Sequence, residues 1–458
     1  MKVAIAGASG FIGRQLVDAL KQKHNVVALS RQEPSAQTAG VELRRCDLFS
    51  LLEVERALDG ADVGVYLVHS MMPPNRLTQG SFDDLDLLLA DNFARAAKLK
   101  GLQRIIYLGG LIPKENLSRH LASRLEVERV LAAQGVPVVT LRAGLITGRG
   151  GSSFAIIEKL VYRLPLMVCP KWTSTRCQPV DLADVVAVLT CAVADASLPA
   201  GAYDIGGPNV LSYAAMMREV ADAMGLKRRF LSVGVVSPRI SRLWVSLVTG
   251  ASKQLVYPLI ESLRHDMVAN GPSLFDRYKI VPATFREAVG DALKQRCELR
   301  KVAPAAGAKK REGAVTSVQR FPIGADHDVA WVASEYAAWL PRFLRPLIRV
   351  DVTPDRSLIF RSGPWHLLEL TYSEARSSAT RQLYYLTGGR LLRKDAGRAK
   401  SRLEFRQVPG RREVVAAILD YRPRLPWWFY RWTQAQIHLL VMYFFARHVR
   451  ACARADFT

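Results

Sequence analysis

Short apolar runs and longer amphipathic runs alternate along the first 300 residues. Lys2-Val3-Ala4-Ile5-Ala6 has strand length, and Leu16, Val17 and Leu20 recur at helical spacing just after it. Residues 25–31, 41–48, 61–68, 104–108 and 137–141 are further strand-length runs, and 51–58, 82–99 and 121–134 carry helical periodicity. Parallel neighbours can be joined only by a long crossover, so this alternation predicts a doubly wound parallel sheet, an α/β fold. Residues 181–189 and 212–224 read as two more helices, with a short strand and turn at 202–208 between them. Residues 235–295 are apolar and helical, interrupted by Pro238, Pro258, Pro272 and Pro282. They are expected to cap a cleft with Leu243, Trp244, Val245, Leu247, Val248, Leu255 and Val256.

The pattern changes after residue 300. Residues 301–313 are small and charged without periodicity, so they read as a linker between a domain at 1–300 and a second at 314–458. The second domain opens on a strand at 315–321 and a helix at 328–343 broken by Pro341. Extended runs follow at 348–352, 357–361, 367–372, 380–386, 390–394, 401–408 and 413–421, then one long helix at 427–450. This order predicts an α+β domain with a curved sheet around the last helix, enclosing an apolar cavity.

Between the first strand and helix stands Gly7-Ala8-Ser9-Gly10-Phe11-Ile12-Gly13. Glycine lets the chain bend sharply and lets a pyrophosphate approach the backbone. The open N–H groups and dipole of the following helix favour an anion there. A dinucleotide is therefore expected, touching Gly7, Ser9, Gly10, Phe11, Ile12 and Gly13. A carboxylate at the end of the second strand would bind ribose hydroxyls and repel a 2′-phosphate. Ser30 and Arg31 stand there instead and suit that phosphate, so NADP(H) is expected ahead of NAD(H).

Composition and charge bound the partners. The net charge is +23. From residue 301 onward 27 Lys and Arg face 13 Asp and Glu, so +14 falls in the second domain and +9 in the first 300 residues. An anionic partner is implied: a cofactor, a membrane surface or nucleic acid. The six cysteines form no Cys-x-x-Cys pair and there is no His-Glu-x-x-His, so no metal site is expected. The N-terminus reads as a folded strand, which points to the cytoplasm. Near the C-terminus, Trp427-Trp428-Phe429-Tyr430-Arg431-Trp432 interleaves aromatic and arginine residues. It reads as a core or ligand cluster, as a peripheral contact with the inner face of a membrane, or, least favoured, as a nucleic-acid stacking platform.

The glycine turn, Cys46-Asp47-Leu48 and Gln178-Pro179-Val180-Asp181-Leu182-Ala183-Asp184-Val185 together resemble extended short-chain dehydrogenase/reductases, the NAD-dependent epimerase/dehydratase group. Atypical NmrA-like members with an extra C-terminal domain are the most similar. The resemblance spans about residues 1–295 and implies a Rossmann fold. It also implies adenine contacts at Asp47 and Leu48 and cofactor contacts at Val68 and His69. The family's catalytic Tyr-x-x-x-Lys falls on His120 and Arg124, and its usual serine on Gly109 or Gly110. Two readings stay open. His120 is the acid/base and Arg124 holds the ribose, or the site binds a dinucleotide without hydride chemistry. Tyr107 lies within a strand and is no substitute. The order of elements in the second domain resembles the helix-grip fold of Bet v 1 and START-like proteins, which implies a hydrophobic ligand. The expected activity is that of an NADP-dependent oxidoreductase or epimerase on a hydrophobic or lipid-like substrate. The alternative is a non-catalytic redox sensor or membrane-associated assembly factor.

Overall fold

The computed structural model describes residues 1–31, 40–69, 75–113, 117–234, 245–250, 257, 260–299, 311–393 and 401–455. The chain divides into two compact units, 1–71 with 86–307, and 72–85 with 308–458.

The first unit holds a seven-stranded parallel sheet. Its strands are β1 (Lys2–Ala6), β2 (Asn25–Ser30), β3 (Val41–Arg45), β4 (Val63–Tyr66), β6 (Arg104–Gly110), β7 (Val138–Ala143) and Gly201–Ile205; β5 (Asn75–Gln79) lies in the other unit. The spatial order is Gly201–Ile205, β7, β6, β4, β1, β2, β3. The chain starts in the middle and winds outward both ways, so the switch point lies between β1 and β4. Val3, Ala4, Ile5 and Ala6 are all fully buried, as a parallel strand covered on both faces requires. Helices that accompany these strands include α1 (Phe11–Leu20), α2 (Leu51–Ala57), α3 (Phe82–Leu99), α4 (Arg119–Ala132), α5 (Ser152–Arg163), α6 (Leu182–Ala194) and α7 (Tyr213–Ala223). Leu16 and Leu20 of α1 and Val185 and Leu189 of α6 pack with Val3 and Ile5 into one core. A second core joins α5, α7 and the Phe285–Leu299 helix through Phe154, Leu160, Met216, Val220, Phe285 and Val289. Of the expected cap, Val245, Leu247 and Val248 are described, while Leu243, Trp244, Leu255 and Val256 lie outside the described residues.

The second unit holds an eight-stranded mixed sheet. Arg349–Val352, Leu358–Ser362, Trp365–Tyr372, Arg381–Gly388, Arg402–Gln407, Glu413–Tyr421 and Arg311–Pro322 are successive antiparallel neighbours. β5 closes the far edge, parallel to Arg311–Pro322 with Leu77 opposite Val315. The N-terminal half of the sequence thus lends a strand to the C-terminal sheet, and that sheet's own first strand begins at Arg311, inside the stretch that reads as linker. Residues 390–393 do not form a strand, Leu392 making an isolated bridge to Pro423, and residue 394 lies outside the described residues. Pro341 sits inside the continuous Val329–Leu344 helix and does not break it. The terminal helix is two, Trp427–Trp432 and Gln434–Ala455, because Thr433 (φ −119°, ψ −87°) leaves helical geometry.

Both longer helices pack on one sheet face. Tyr336, Trp339, Phe405 and Phe445 pack edge-on or tilted there, with ring centroids 5.0 Å apart for Tyr336–Phe445 and 5.3 Å for Tyr336–Phe405. On the other face Arg402, Glu404 and Arg406 alternate with Leu403 and Phe405 and are nevertheless buried. Arg381 Nε lies 3.0 Å from Glu404 Oε2, and Arg402 Nε lies 2.5 Å from Oε1. Arg406 also pairs with Glu404, and Arg402 with Asp420 at 2.9 Å. Burial alone would raise the Glu404 carboxyl, but the three guanidiniums outweigh it and hold it well below the carboxylate range.

Candidate functional site

The site begins at the glycine turn. Gly7 has φ +92°, and a Cβ there would stand 3.1 Å from the Leu67 carbonyl oxygen. Gly10 N–H donates to Gly7 O at 2.9 Å and closes the turn. A Cβ on Gly13 would stand 2.1 Å from Gly7 O and 2.8 Å from Ala8 Cα, so only glycine permits α1 to approach β1 this closely. Gly10 caps α1 without a side-chain bond, which leaves the helix N-terminus open to an anion. Ser9 is exposed, and its carbonyl accepts from Arg14 Nε at 2.9 Å. Phe11 is turned to packing, against the backbone of Gly148 and Gly151.

Ser30 ends β2, and exposed Arg31 follows it. Cys46 N–H donates to Ser30 O at 2.7 Å, so Asp47 and Leu48 are carried to the same edge. Asp47 is buried and accepts from Phe49 N–H at 3.3 Å. Asn92 on α3, fully buried, donates from Nδ2 to Leu48 O at 2.8 Å and to Phe49 O at 3.0 Å. Asn92 is therefore the pin that fixes this loop. The helical periodicity of α3 marked no role for it.

Beyond the ends of β4, β6 and β7 lies a cavity of about 250 Å³. This is where open parallel sheets bind ligands. Ile12, Leu67, Gly109, Gly110, His120 and Arg124 line one side; Ile156, Leu160, Trp172, Tyr213, Met217 and Val245 line the other. His120 and Arg124, four apart on α4, do share one wall. The helix starts at Arg119, capped by Ser118 Oγ accepting from Leu121 N–H at 3.3 Å, so His120 lies in its first turn. Gly109 and Gly110 supply no hydroxyl to the cavity.

Behind His120 stands a feature the motifs did not announce. The His69 ring lies 5.0 Å from that of His120, and its Nδ1 is 2.6 Å from Oδ2 of Asp86, which is 1% exposed. Burial lowers the His120 pKa to about 3, reinforced by Arg124 and His69. Burial lowers His69 too, against the opposing pull of Asp86. His120 is a neutral imidazole at pH 7 and its Nδ1 has no hydrogen-bond partner among the described residues, so the ring can donate or accept without carrying charge. Burial raises Tyr66 and Tyr107, and Tyr107 O–H donates to Arg124 O at 3.3 Å, which spends it on the backbone. In the matched late segment, Asp181 caps α6 by accepting from Ala183 N–H at 2.8 Å, and Gln178 bridges Gly207 O and Ala269 N–H; both roles are structural.

In the second unit Glu335, His448 and Cys452 offer three potential metal ligands within 4.8 Å of one another. The cysteine spacing did not suggest this cluster. His448 Nε2 is 2.7 Å from Glu335 Oε1, and Arg342 pairs with the same carboxylate at 3.6 Å.

Strand order, glycine turn and crevice define a Rossmann-type NAD(P)-binding fold. Residues 7–160 match the family model described as NAD(P)H-binding, and the first unit carries that domain. The chain is similar to the auxiliary protein GraX of Staphylococcus aureus, 32% identical over 143 residues, which are 30% of this chain and 43% of that protein. It thus spans less than half of that relative's length. It is also similar to ceramide reductase of Caulobacter vibrioides, 27% identical over 234 residues, 50% of this chain and 72% of that protein. Among solved structures, triphenylmethane reductase of Citrobacter sp. complexed with NADP(H) shares the fold. Its TM-score is 0.52 at 16% identity, covering 63% of this chain and 99% of that one. Among the described residues no helix is long and apolar enough to cross a membrane.

Proposed function

We propose that the chain is an NADPH-dependent reductase acting on the carbonyl group of a hydrophobic, lipid-like substrate. The cavity carries this reading. Its far wall is largely apolar, and a cationic and a titratable group, Arg124 and His120, stand together on the wall nearest the glycine turn. The similarity to a ceramide reductase supports the same substrate class. An epimerase would run the same chemistry in both directions, but the apolar wall suits a lipid better than a sugar nucleotide. The apolar ligand is assigned to this cavity, since aromatic rings pack the seam between sheet and helix in the second unit. A lipid-like substrate places the protein at the inner face of a membrane, in peripheral contact with it.

When bound, the nicotinamide supplies a hydride to the substrate carbon. The remaining work belongs to the chain. Gly7, Gly10 and Gly13 shape the turn that receives the pyrophosphate at the N-terminus of α1. Ser30 and Arg31 hold the 2′-phosphate and set the preference for NADP(H) over NAD(H). Asp47 and Leu48 border the adenine, Val68 and His69 flank the path to the nicotinamide, and Arg124 orients its ribose. His120 donates an N–H to the carbonyl oxygen and releases that proton as negative charge develops. Its other nitrogen takes up a proton from solvent water, so the ring ends neutral and solvent supplies the proton consumed with the hydride. Asp86 fixes the tautomer of the neighbouring His69.

The test is NADPH consumption with a long-chain ketone in detergent micelles. His120→Asn should lower turnover by ~100-fold or more, the usual contribution of a positioned acid, and leave NADPH affinity nearly intact. Unchanged turnover removes His120 from the mechanism. A second reading is a non-catalytic nucleotide sensor or assembly factor. The replacement of the family's Tyr and Lys by His120 and Arg124 supports it, as does similarity to a protein named as auxiliary. NADPH binding without turnover of any carbonyl would decide for it.

A further inference from the structure

The terminal helix Gln434–Ala455 is apolar on both sides. Ala435, Val441, Met442, Phe445 and Val449 are buried in the core of the second unit. Amphipathic logic then calls for a polar outer face. Instead Trp432 is 72% exposed, Ile437 54%, Leu440 53% and Tyr443 58%, and Trp428 just before them is 69% exposed. Ile437, Leu440 and Phe444, the last 36% exposed, recur at helical spacing with Tyr443 beside them, so they form one stripe on this helix, and Trp428 and Trp432 stand on the short helix just before it. Such a contiguous apolar patch marks an interaction surface.

The surrounding charge says what covers it. Between Tyr421 and Ala455 the chain has six arginines and no Asp or Glu. Arg431 lies over the Trp432 ring at 5.6 Å and Arg447 over Tyr443 at 6.0 Å, so the cations rim the stripe. A second copy of the chain would bring the same arginines face to face across a twofold axis, with no Asp or Glu of this segment to meet them. An anionic bilayer offers phosphates to the guanidiniums and acyl chains to the rings.

We propose that this face docks on an anionic lipid bilayer, with the helix lying in the interface plane and Trp428 and Trp432 at headgroup level. The inference stands on this face alone and does not require the reductase reading. The experiment is co-sedimentation of the full chain with phosphatidylcholine vesicles and with phosphatidylcholine/phosphatidylglycerol vesicles, at low and high salt. Tryptophan quenching by brominated lipid is measured alongside. Binding is expected to the anionic vesicles, to weaken with salt, and to be accompanied by quenching. Trp432→Ser with Leu440→Ser should weaken it at least tenfold, as should Arg431→Glu with Arg447→Glu, whose packing side is untouched. Light scattering, thermal melting and NADPH titration are run on each variant, so that a folding defect or a failed cofactor site is seen separately. Absence of binding to anionic vesicles overturns the proposal. So does binding that neither pair of substitutions weakens, or a wild-type dimer that the same substitutions dissociate.

Discussion

Gly13→Ala is the substitution that most sharply tests how the turn is built. The added Cβ would lie 2.1 Å from Gly7 O, 2.8 Å from Ala8 Cα and 2.9 Å from Ala8 C. All three are backbone atoms, so no rotamer change relieves the overlap. An ordinary carbon contact is about 3.5 Å, so α1 must retreat from β1 by roughly an ångström. Overpacking of this kind costs ~1–3 kcal/mol of stability. Each 1.4 kcal/mol of lost binding is about tenfold in affinity, so NADPH binding should weaken by roughly two- to a hundredfold if half or more of the strain is relieved by opening the turn. Fluorescence titration with NADPH and thermal melting with and without it measure the two effects. Gly290→Ala is the matched control. Gly290 lies inside the Phe285–Leu299 helix with nothing within 4 Å of its new Cβ, so alanine should stabilise it by ~0.5–1 kcal/mol. Wild-type NADPH affinity in Gly13→Ala would refute the reasoning.

Arg31→Asp should reverse the preference between NADPH and NADH by about tenfold each way, since a carboxylate replaces the cation expected at the 2′-phosphate; paired titrations check it, and an unchanged ratio removes Arg31 from the site. Glu404→Gln leaves the buried Arg381, Arg402 and Arg406 without their shared counter-charge and should cost ~3–5 kcal/mol in urea unfolding; a loss under ~1 kcal/mol would mean that solvent reaches the cluster. His120 has a folded pKa lowered to about 3, below its unfolded value of about 6.5. The unfolded chain therefore binds the proton first, and stability present above pH 6.5 is lost as pH falls toward 3. Arg124, His69 and Asp86 face the ring, so His120→Asn should flatten this limb of the stability curve relative to wild type; identical curves would show the imidazole to be hydrated.

The first sheet was legible because a parallel strand is apolar on both faces and its crossover helices are not, a contrast that Lys2–Ala6 and Phe11–Leu20 state within twenty residues. The pairing of His120 and Arg124 was legible through the resemblance, which sets them at the family's Tyr-x-x-x-Lys positions, and the four-residue spacing then put them on one helix face. Other parts depended on contacts that no local pattern encodes. Asp86 and Asn92 occupy polar positions of an amphipathic helix, and nothing in α3 distinguishes a polar residue meeting solvent from one meeting a buried ring or carbonyl. β5 finds its partner strand more than 230 residues later. Arg402, Glu404 and Arg406 alternate as a solvated sheet face would, yet the face is covered. The terminal helix is the opposite case: its aromatic and arginine start left core and membrane contact both open, and Ile437, Leu440, Tyr443 and Phe444 stand exposed where periodicity alone does not say which face is covered.

In the proposed reaction NADPH reduces a carbonyl held against His120 and Arg124. The most direct measurement is a single-turnover reaction with NADPH deuterated at the transferable position and a long-chain ketone in micelles, with the product analysed by mass spectrometry. Deuterium is expected on the carbinol carbon, lost in step with turnover in His120→Asn. Tight NADPH binding with no deuterium transferred would contradict it and leave a protein that senses the nucleotide without using it.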